Sequence, residues 1–556
     1  MLRTFRRIAA PAVLGPIAPG GYVLTLHERG TDRALRVVVT AGVETRVAFA
    51  GELAARSPLT ALPDLLSSAA WPTGSSSTKG SASAVCTCTV ACKAENDVPV
   101  GSFRTWVKYV EKGTFPSVRR HFTVLRCNHC DAAPCVESAR WWRSEGARTI
   151  VDLDRDVCIG CRACMQACPY DALYLNEDRG VAEKCHYCAH RTEIGLEPAC
   201  VNVCPVQAIV SGDVDDPGSR IATLLREQPT SRRKLDKGTR PRVWYVDALP
   251  EALVPGVPAE PASYLWSDRS PGDAPPPIVP GFEPTPDITA TLDVPHPPVW
   301  GWHVSAYLVT KNVAAGAALF APLFPAIATW LLGIALVFLA VTNVLLVLDL
   351  GRPERFLKIL FHPNTRSWLV KGAWILTAFG IVTTLALALR LLGIAAPAGI
   401  LAWANVPIAV LTAGYSAWLF AQCRGRDLWI QPGLFALLSV RAVLLGAGAA
   451  LLCLPDARRT VLAFVGAALA SALAHFVEAK GRPATRDGAL AHAILERELG
   501  TAPTWMLYLV VATLGVLARL QLPSWPVAAA AVALAVYATY RHEDAWIRAG
   551  HAVPLS

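Results

Sequence analysis

The chain has 556 residues, too many for one ordinary domain. Its net charge of +9 carries no nucleic-acid signature, because no basic stripe with interleaved aromatics accompanies it and the basic residues of the apolar half sit mainly between apolar runs. Hydrophobic residues make up 53% of the whole, an average over two unlike halves: fourteen of the sixteen cysteines lie between Cys86 and Cys204, and long apolar runs begin near Trp300.

Residues 1–80 are the least informative. Met1–Arg7 is basic, and Ile8–Ile17 is mildly apolar but broken by Pro11 and Pro16. This is a poor secretory signal, with a short apolar core and no clear cleavage site. Arg6-Arg7 is only a weak twin-arginine resemblance. Gly21–Leu26 and Leu35–Thr40 alternate as short strands, so the stretch reads as a small β-module or as a spurious extension of the reading frame. Gly74–Ala84, rich in Ser, Gly and Thr, reads as a linker.

The cysteines follow in groups. Cys158–Pro169 reads C-I-G-C-R-A-C-M-Q-A-C-P, followed by C-H-Y-C at Cys185–Cys188 and A-C-V-N-V-C-P at Ala199–Pro205. The first run has the C-x2-C-x2-C-x3-C-P spacing of bacterial ferredoxins: three thiolates wrap one face of a cubane, and the fourth is carried off to a different cluster. Zinc explains isolated C-x2-C pairs but not this run with its terminal C-P. Structural disulfides are disfavoured by the paired spacing and the absence of a secretory signal.

With A-C-K-A-E-N (Ala91–Asn96), C-N-H-C (Cys127–Cys130) and R-P-R-V-W-Y-V (Arg240–Val246), the stretch from Cys86 to Asp247 resembles the four-cluster 4Fe-4S electron-transfer subunit of dimethyl-sulfoxide-reductase-type molybdenum enzymes. The resemblance implies two complete ligand sets, Cys127, Cys130, Cys135 and Cys168, and Cys185, Cys188, Cys200 and Cys92. A third set holds Cys158, Cys161 and Cys164, with Ala139 where its fourth cysteine falls. The last holds Cys88 and Cys204, with Ala82 and Val85 where the others fall and Cys86 off register. Read one frame over, Ser81–Thr87 can encode C-x-x-C-x-x and Ser138–Arg143 can encode Cys-Pro. We therefore read compensating frameshifts at both places, against genuine loss of two clusters; resequencing distinguishes the two. On that reading Trp141-Trp142-Arg143 is translation noise.

Asp213–Val246 closes this domain, with Arg242–Val246 strand-like, and the proline-dense stretch 248–298 reads as a semi-rigid extended linker. Eight apolar segments follow, near 303–324, 327–350, 369–391, 399–421, 431–454, 459–479, 503–522 and 524–540, most of them long enough to span a bilayer and the last marginal. Loops on one side carry Arg352, Arg355, Lys358, Arg366, Lys371, Arg424, Arg426, Lys480, Arg482, Arg486 and Arg497, with Arg541 and Arg548 in the tail. The other side carries only Arg390, Arg458, Arg459 and Arg519, an imbalance that places the ferredoxin half in the cytoplasm.

Trp300–Tyr307, Lys311–Gly316 and L-D-L-G-R-P-E-R-F (Leu348–Phe356) resemble the NrfD/polysulfide-reductase family of quinone-binding membrane subunits, which implies quinone exchange near the iron–sulfur face without haem. Ionisable residues within membrane segments are costly and often functional. Lys311, Arg441, His475 and Glu478 stand out, and His303, Tyr307, Asp349 and Arg352 form the candidate quinone site. Interhelical pairing or snorkelling is the structural alternative for each. Trp300 and Trp302 read as interfacial anchors, and Cys423 and Cys453 as ordinary helix cysteines.

The expected fold is an α+β ferredoxin-like iron–sulfur domain of tandem bacterial-ferredoxin repeats, followed by an all-α polytopic membrane bundle of about eight transmembrane helices. Its parts are an N-terminal extension (1–80), the 4Fe-4S domain (81–247), a Pro-rich linker (248–299) and the NrfD-like membrane domain (300–556). The expected function is electron relay, through up to four [4Fe-4S] clusters, between the quinone pool of a bacterial inner membrane and a molybdopterin catalytic subunit. Two alternatives are a subunit of an alternative complex III-type quinol oxidoreductase, distinguished by neighbouring genes, and a scaffold with partly lost clusters, distinguished by iron content.

Overall fold

The computed structural model describes residues 20–28, 31–39, 67–72, 87–113, 116–139, 150–248, 250–255, 288–294, 300–361, 363–481, 483–520 and 524–555. The chain divides into two units, 1–63 and 64–556. In the first, β1 (Gly20–Glu28) and β2 (Thr31–Val39) pair antiparallel from Gly20↔Val39 to Glu28↔Thr31. They lie where the alternation predicts strands, and the two-residue connection contains Gly30, the residue type that tight hairpin loops favour.

The second unit opens with β3 (Ser67–Pro72) and continues through β4 (Thr105–Lys112), β5 (Arg119–Arg126), β6 (Leu173–Asn176), β7 (Val181–Lys184), β8 (Val210–Asp213), β9 (Thr230–Ser231), β10 (Val243–Val246) and β11 (Ile288–Leu292). Their sheets run β8-β3-β10-β9, β11-β4-β5 and β6-β7. Two expected boundaries move. β3 lies inside the predicted N-terminal extension, yet it pairs parallel with β10 and antiparallel with β8, so the ferredoxin half starts before residue 81. The predicted linker is also structured at its ends: Pro250–Leu253 is helical, and β11 adds to the edge of β4, where Asp293 accepts a hydrogen bond from Trp106 Nε1 at 3.1 Å. Proline content conceals this, because Ile288–Leu292 is a proline-free run flanked by prolines.

Each of the eight apolar segments is helical. Among the described residues five helices are long and apolar enough to cross a membrane: Pro325–Leu348, Trp368–Leu391, Ala395–Ala421, Leu434–Cys453 and Arg458–Lys480. A sixth counts if Arg486–Leu499 and Thr504–Leu520, bent by 45°, form one span. Arg486–Leu499 was not among the predicted segments because it is amphipathic. It starts at Thr485, whose hydroxyl accepts from the Gly488 N–H at 3.0 Å. The last helix, Ser524–Ala552, runs well beyond the predicted end at residue 540. Outward faces of these helices stay apolar, with Trp330, Val337, Ile381 and Leu473 all exposed, as lipid requires.

Leu434–Cys453 is the most enclosed of the five. It meets helix Trp302–Phe320 backbone to backbone: a Cβ on Gly446 would lie 2.3 Å from the Gly316 carbonyl carbon, and one on Gly316 would lie 2.0 Å from the Ala442 oxygen. Small residues permit this approach where no hydrophobic driving force acts between helices. Gly446→Leu is expected to force the two helices apart and cost about 3 kcal/mol, read as a lowered midpoint of thermal unfolding in detergent; an unchanged midpoint would contradict the contact.

Candidate metal centres and membrane-junction site

Short helical turns carry the cysteines in pairs four residues apart. Helix Thr87–Asn96 holds Cys88 and Cys92, Ala163–Ala167 holds Cys164 with Cys168 as its C-cap, and Ala199–Asn202 holds Cys200 with Cys204 just beyond. Pro134–Ser138 holds Cys135, and its C-cap, four residues on, is Ala139. Residues four apart share a helix face, so the two cysteines of each pair lie one above the other on the same side of their turn. Between the turns the C-x2-C loops curl tightly through left-handed residues: His129 (φ 42°), Arg162 (φ 59°), Tyr187 (φ 59°) and Cys188 (φ 50°).

Cys127, Cys130, Cys135 and Cys168 are buried in one cluster. The segment 239–242 lies along their loop, with Asp131 N–H donating to the Arg240 carbonyl and Arg242 N–H to that of Asn128. Burial pushes the Cys135 thiol well above its usual range, and the neighbouring Cys168 and Cys127 push it further; burial likewise lifts Cys168 to about 11. Cys92, Cys185, Cys188 and Cys200 line a second cavity with Asn96 and Arg126. Sulfur-directed donors surround it: Asn96 Nδ2 lies 3.7 Å from Cys92 Sγ and 3.9 Å from Cys188 Sγ, and Arg126 Nη1 donates to Cys200 Sγ at 3.6 Å. Burial, and then the other thiols against the Arg126 charge, lifts Cys200 to about 12. Buried thiols converging with N–H groups aimed at sulfur make a poor apolar core and a fitting cradle for a thiolate-ligated iron–sulfur cluster, whose irons displace the protons.

Cys158, Cys161 and Cys164 come together as well, and burial lifts Cys161 to about 12. Ala139 is buried in the same apolar cluster as Cys164, with Cys158 packed against that cluster. Cys88 is buried beside Cys200, and Cys204 is half-buried with its Sγ accepting from Ala208 N–H at 3.2 Å. Cys86, Ala82, Val85 and Trp141–Arg143 lie outside the described residues. Neighbouring thiols link the cysteine groups pairwise. Cys88 faces Cys200, Cys185 faces Cys127, and Cys168 faces Cys164.

The loop carrying Cys158, Cys161 and Cys164 sits directly on the membrane half. Gly351 N–H donates to the Gly160 carbonyl at 3.2 Å and Arg352 N–H to that of Ile159 at 3.1 Å. Arg355 Nη1 donates to the carbonyls of Cys158 (2.8 Å) and Arg155 (3.0 Å). Trp300 Nε1 reaches the Cys161 carbonyl at 3.5 Å, and Arg162 pairs with Asp349 at 3.3 Å. Trp300 is therefore buried at this junction, stacked on Trp429 at 5.5 Å, and is not the lipid anchor expected of it.

The four candidate quinone residues do not all meet. Asp349 lies near His303, and Tyr307 is within electrostatic range of Asp349 and bonded to Ser416. His303 stacks on Trp302 at 3.9 Å between centroids. Arg352 instead points to the ferredoxin half, where its Nε donates to the Arg179 carbonyl at 2.5 Å. Arg162, inside the cysteine run and unremarked in the sequence, supplies the guanidinium at Asp349.

Deeper, Arg441 pairs with Glu543 at 2.5 Å and donates to His475 Nε2 at 2.9 Å, while His542 meets Glu478 at 3.3 Å. His475, Glu478 and His542 could offer three ligand atoms within 4.8 Å of one another. The Arg441 guanidinium already occupies His475 Nε2, and Ser471 O lies 2.8 Å from Nδ1. The group is thus a charge-compensated network. His542 and Glu543 escaped the sequence reading because the apolar run stops at residue 540; the following A-W-I (Ala545–Ile547) is the signal that the helix continues.

Residues 118–214 match the 4Fe-4S dicluster domain family, and residues 293–536 match the family described as polysulphide reductase, NrfD. The sequence is 40% identical over 189 residues to a tetrathionate reductase subunit from Salmonella typhimurium, covering 33% of this protein and 74% of that one. It is 41% identical over 163 residues to protein NrfC of Escherichia coli K12 (29% and 73% covered), and 36% identical over 166 residues to a polysulfide reductase chain from Wolinella succinogenes (29% and 85% covered). The NrfD match, together with the apolar helices, makes this a multi-pass membrane protein. This protein belongs to the family of 4Fe-4S reductase subunits that includes these relatives, joined in one polypeptide to an NrfD-type membrane domain.

Proposed function

We propose that this chain relays electrons between a membrane quinone and a molybdopterin catalytic subunit, the partner class implied by the resemblance to the electron-transfer subunits of dimethyl-sulfoxide-reductase-type enzymes. The observation that carries the reading is the junction: the Cys158–Cys164 loop rests on Gly351–Arg355 and Trp300, so the end of the line of cysteine sets adjoins His303, Tyr307 and Asp349. When bound, the clusters supply one-electron exchange. The protein holds them in line, keeps water out, and places groups that bond the quinone oxygens and move their protons. His303 and Tyr307 offer hydrogen bonds to those oxygens, and Asp349, held by Arg162, takes the proton.

Eight crossings fit the loops. The start of the first helix (Trp300), the stretch 349–355, Asn364 and Ser367, Arg426 and Leu555 all bond to the ferredoxin half, which supports its lying beside the second, fourth and eighth returns. The positive-inside rule puts that side in the cytoplasm of a bacterial inner membrane. Arg352, Arg355, Arg424 and Arg426 bond ferredoxin groups, so the rule rests on the remaining loop cations. Ala139 supports four clusters and a frame disturbance nearby, since a thiol on that C-cap would complete the third set.

The test is iron and acid-labile sulfide per chain purified in detergent without oxygen, with EPR after addition of a quinol. About sixteen irons correspond to four cubanes and about eight to the two complete sets. Quinol is expected to elicit the reduced-cluster signals, and Asp349→Asn to slow their appearance by about 100-fold or more. No iron, or clusters that quinol never reduces, would sink the proposal.

A further inference from the structure

Two buried cations lie between the two complete cysteine sets, and they cross. Arg126 ends β5 immediately before Cys127 of the first set, yet its guanidinium turns to the second set and donates to Cys200 Sγ at 3.6 Å. Lys184 ends β7 immediately before Cys185 of the second set. Its ammonium, bonded to the Cys185 carbonyl at 2.8 Å and to the Val151 carbonyl, bears on Cys127 and Cys135 of the first set as well as on Cys185 of its own. Both are almost fully enclosed, 2% and 3% exposed. Asp152 also faces Lys184, and the Tyr187 ring lies 5.4 Å from the Arg126 guanidinium.

Burying a cation is unfavourable unless negative charge faces it. The thiolate-ligated sets supply that charge, and more of it with each electron taken up.

We propose that Arg126 and Lys184 form a crossed pair of fixed positive charges that raises the reduction potentials of both central centres together, so that an electron resting on either is held by both cations. This rests on the reading of these sets as iron–sulfur sites. In a low-dielectric interior, charges this close interact strongly. Each cation is anchored through the backbone to one site while acting on the other, so neither potential is set independently.

The test is an EPR-monitored redox titration of the full chain in detergent. In Arg126→Gln and in Lys184→Gln, the reduction equilibria of two centres are expected to shift at least tenfold toward the oxidised form, about 59 mV for one electron. Iron per chain should stay at the unmutated value, and the centre at Cys158, Cys161 and Cys164 should not move. Arg126→Lys and Lys184→Arg, which keep the charge, should restore both equilibria. If one Gln variant fails to assemble, the other decides. Loaded Gln variants with unmoved potentials would overturn the crossed pair, as would charge-keeping variants that shift as far as the Gln variants. An unmutated chain without iron would overturn the cluster reading instead, and the iron assay tells the two failures apart.

Discussion

Cys130→Ser is expected to remove about four irons per chain and to cut the relay in the middle. On the proposed assignment, Cys130 belongs to the set whose members neighbour both the membrane-facing Cys164 and the distal Cys185. Its thiol is buried, so a weak hydroxyl ligand gains no help from solvent. Quinol should then reduce the membrane-facing centre alone, while the distal signals stay silent until a soluble reductant is added. EPR after quinol and then dithionite reads both parts. Distal centres that fill from quinol at the unmutated rate would mean that electrons do not travel along this line.

Gly160→Val is expected to uncouple the halves while leaving both folded. Gly160 has φ +70°, where a side chain is strained, at about 1–2 kcal/mol for a non-glycine residue. Its Cβ would also lie 2.4 Å from the Gly180 oxygen and 2.7 Å from Gly351 Cα. These neighbours are backbone and cannot step aside, so the Cys158–Cys164 loop must lift off the stretch 349–355. A displacement of about 1 Å at such a site costs roughly 100-fold in rate. Quinol-driven reduction should fall by that order, while iron content and dithionite-reducible signals hold. Retained quinol rates would show that the three-glycine contact of Gly160, Gly180 and Gly351 does not set the distance.

The cysteine framework was readable because ligand chemistry imposes strict spacing, and the pairs four apart appear in the string as C-x3-C. The apolar segments were readable because lipid demands length. What escaped depended on pairing at a distance. β3 and β11 are short strands in weakly patterned surroundings, and only their partners β10 and β4 make them strands. Proximity to Asp349 in the chain groups Arg352 with the quinone candidates; the fold sends it to Arg179 and brings in Arg162 from 187 positions away. Trp300 looked like an interfacial anchor on residue type alone, and its place under the Cys161 carbonyl is a tertiary fact. His542 and Glu543 sit past the end of the apolar run, where mutual pairing with Glu478 and Arg441 replaces hydrophobicity as the reason to be buried.

The short turns that join neighbouring centres also restrict how this chain can drift in length. Adding or deleting one residue between Cys88 and Cys92, Cys164 and Cys168, or Cys200 and Cys204 would swing the second thiol by about 100° around the helix axis and open a ligand gap in the adjoining centre while the first stayed whole. Surface loops of the same domain can gain or lose residues freely, but these intervals cannot change by one without losing a centre. An insertion or deletion there should therefore be found only with loss of the whole relay, and the spacing of four should outlast most of the residues between.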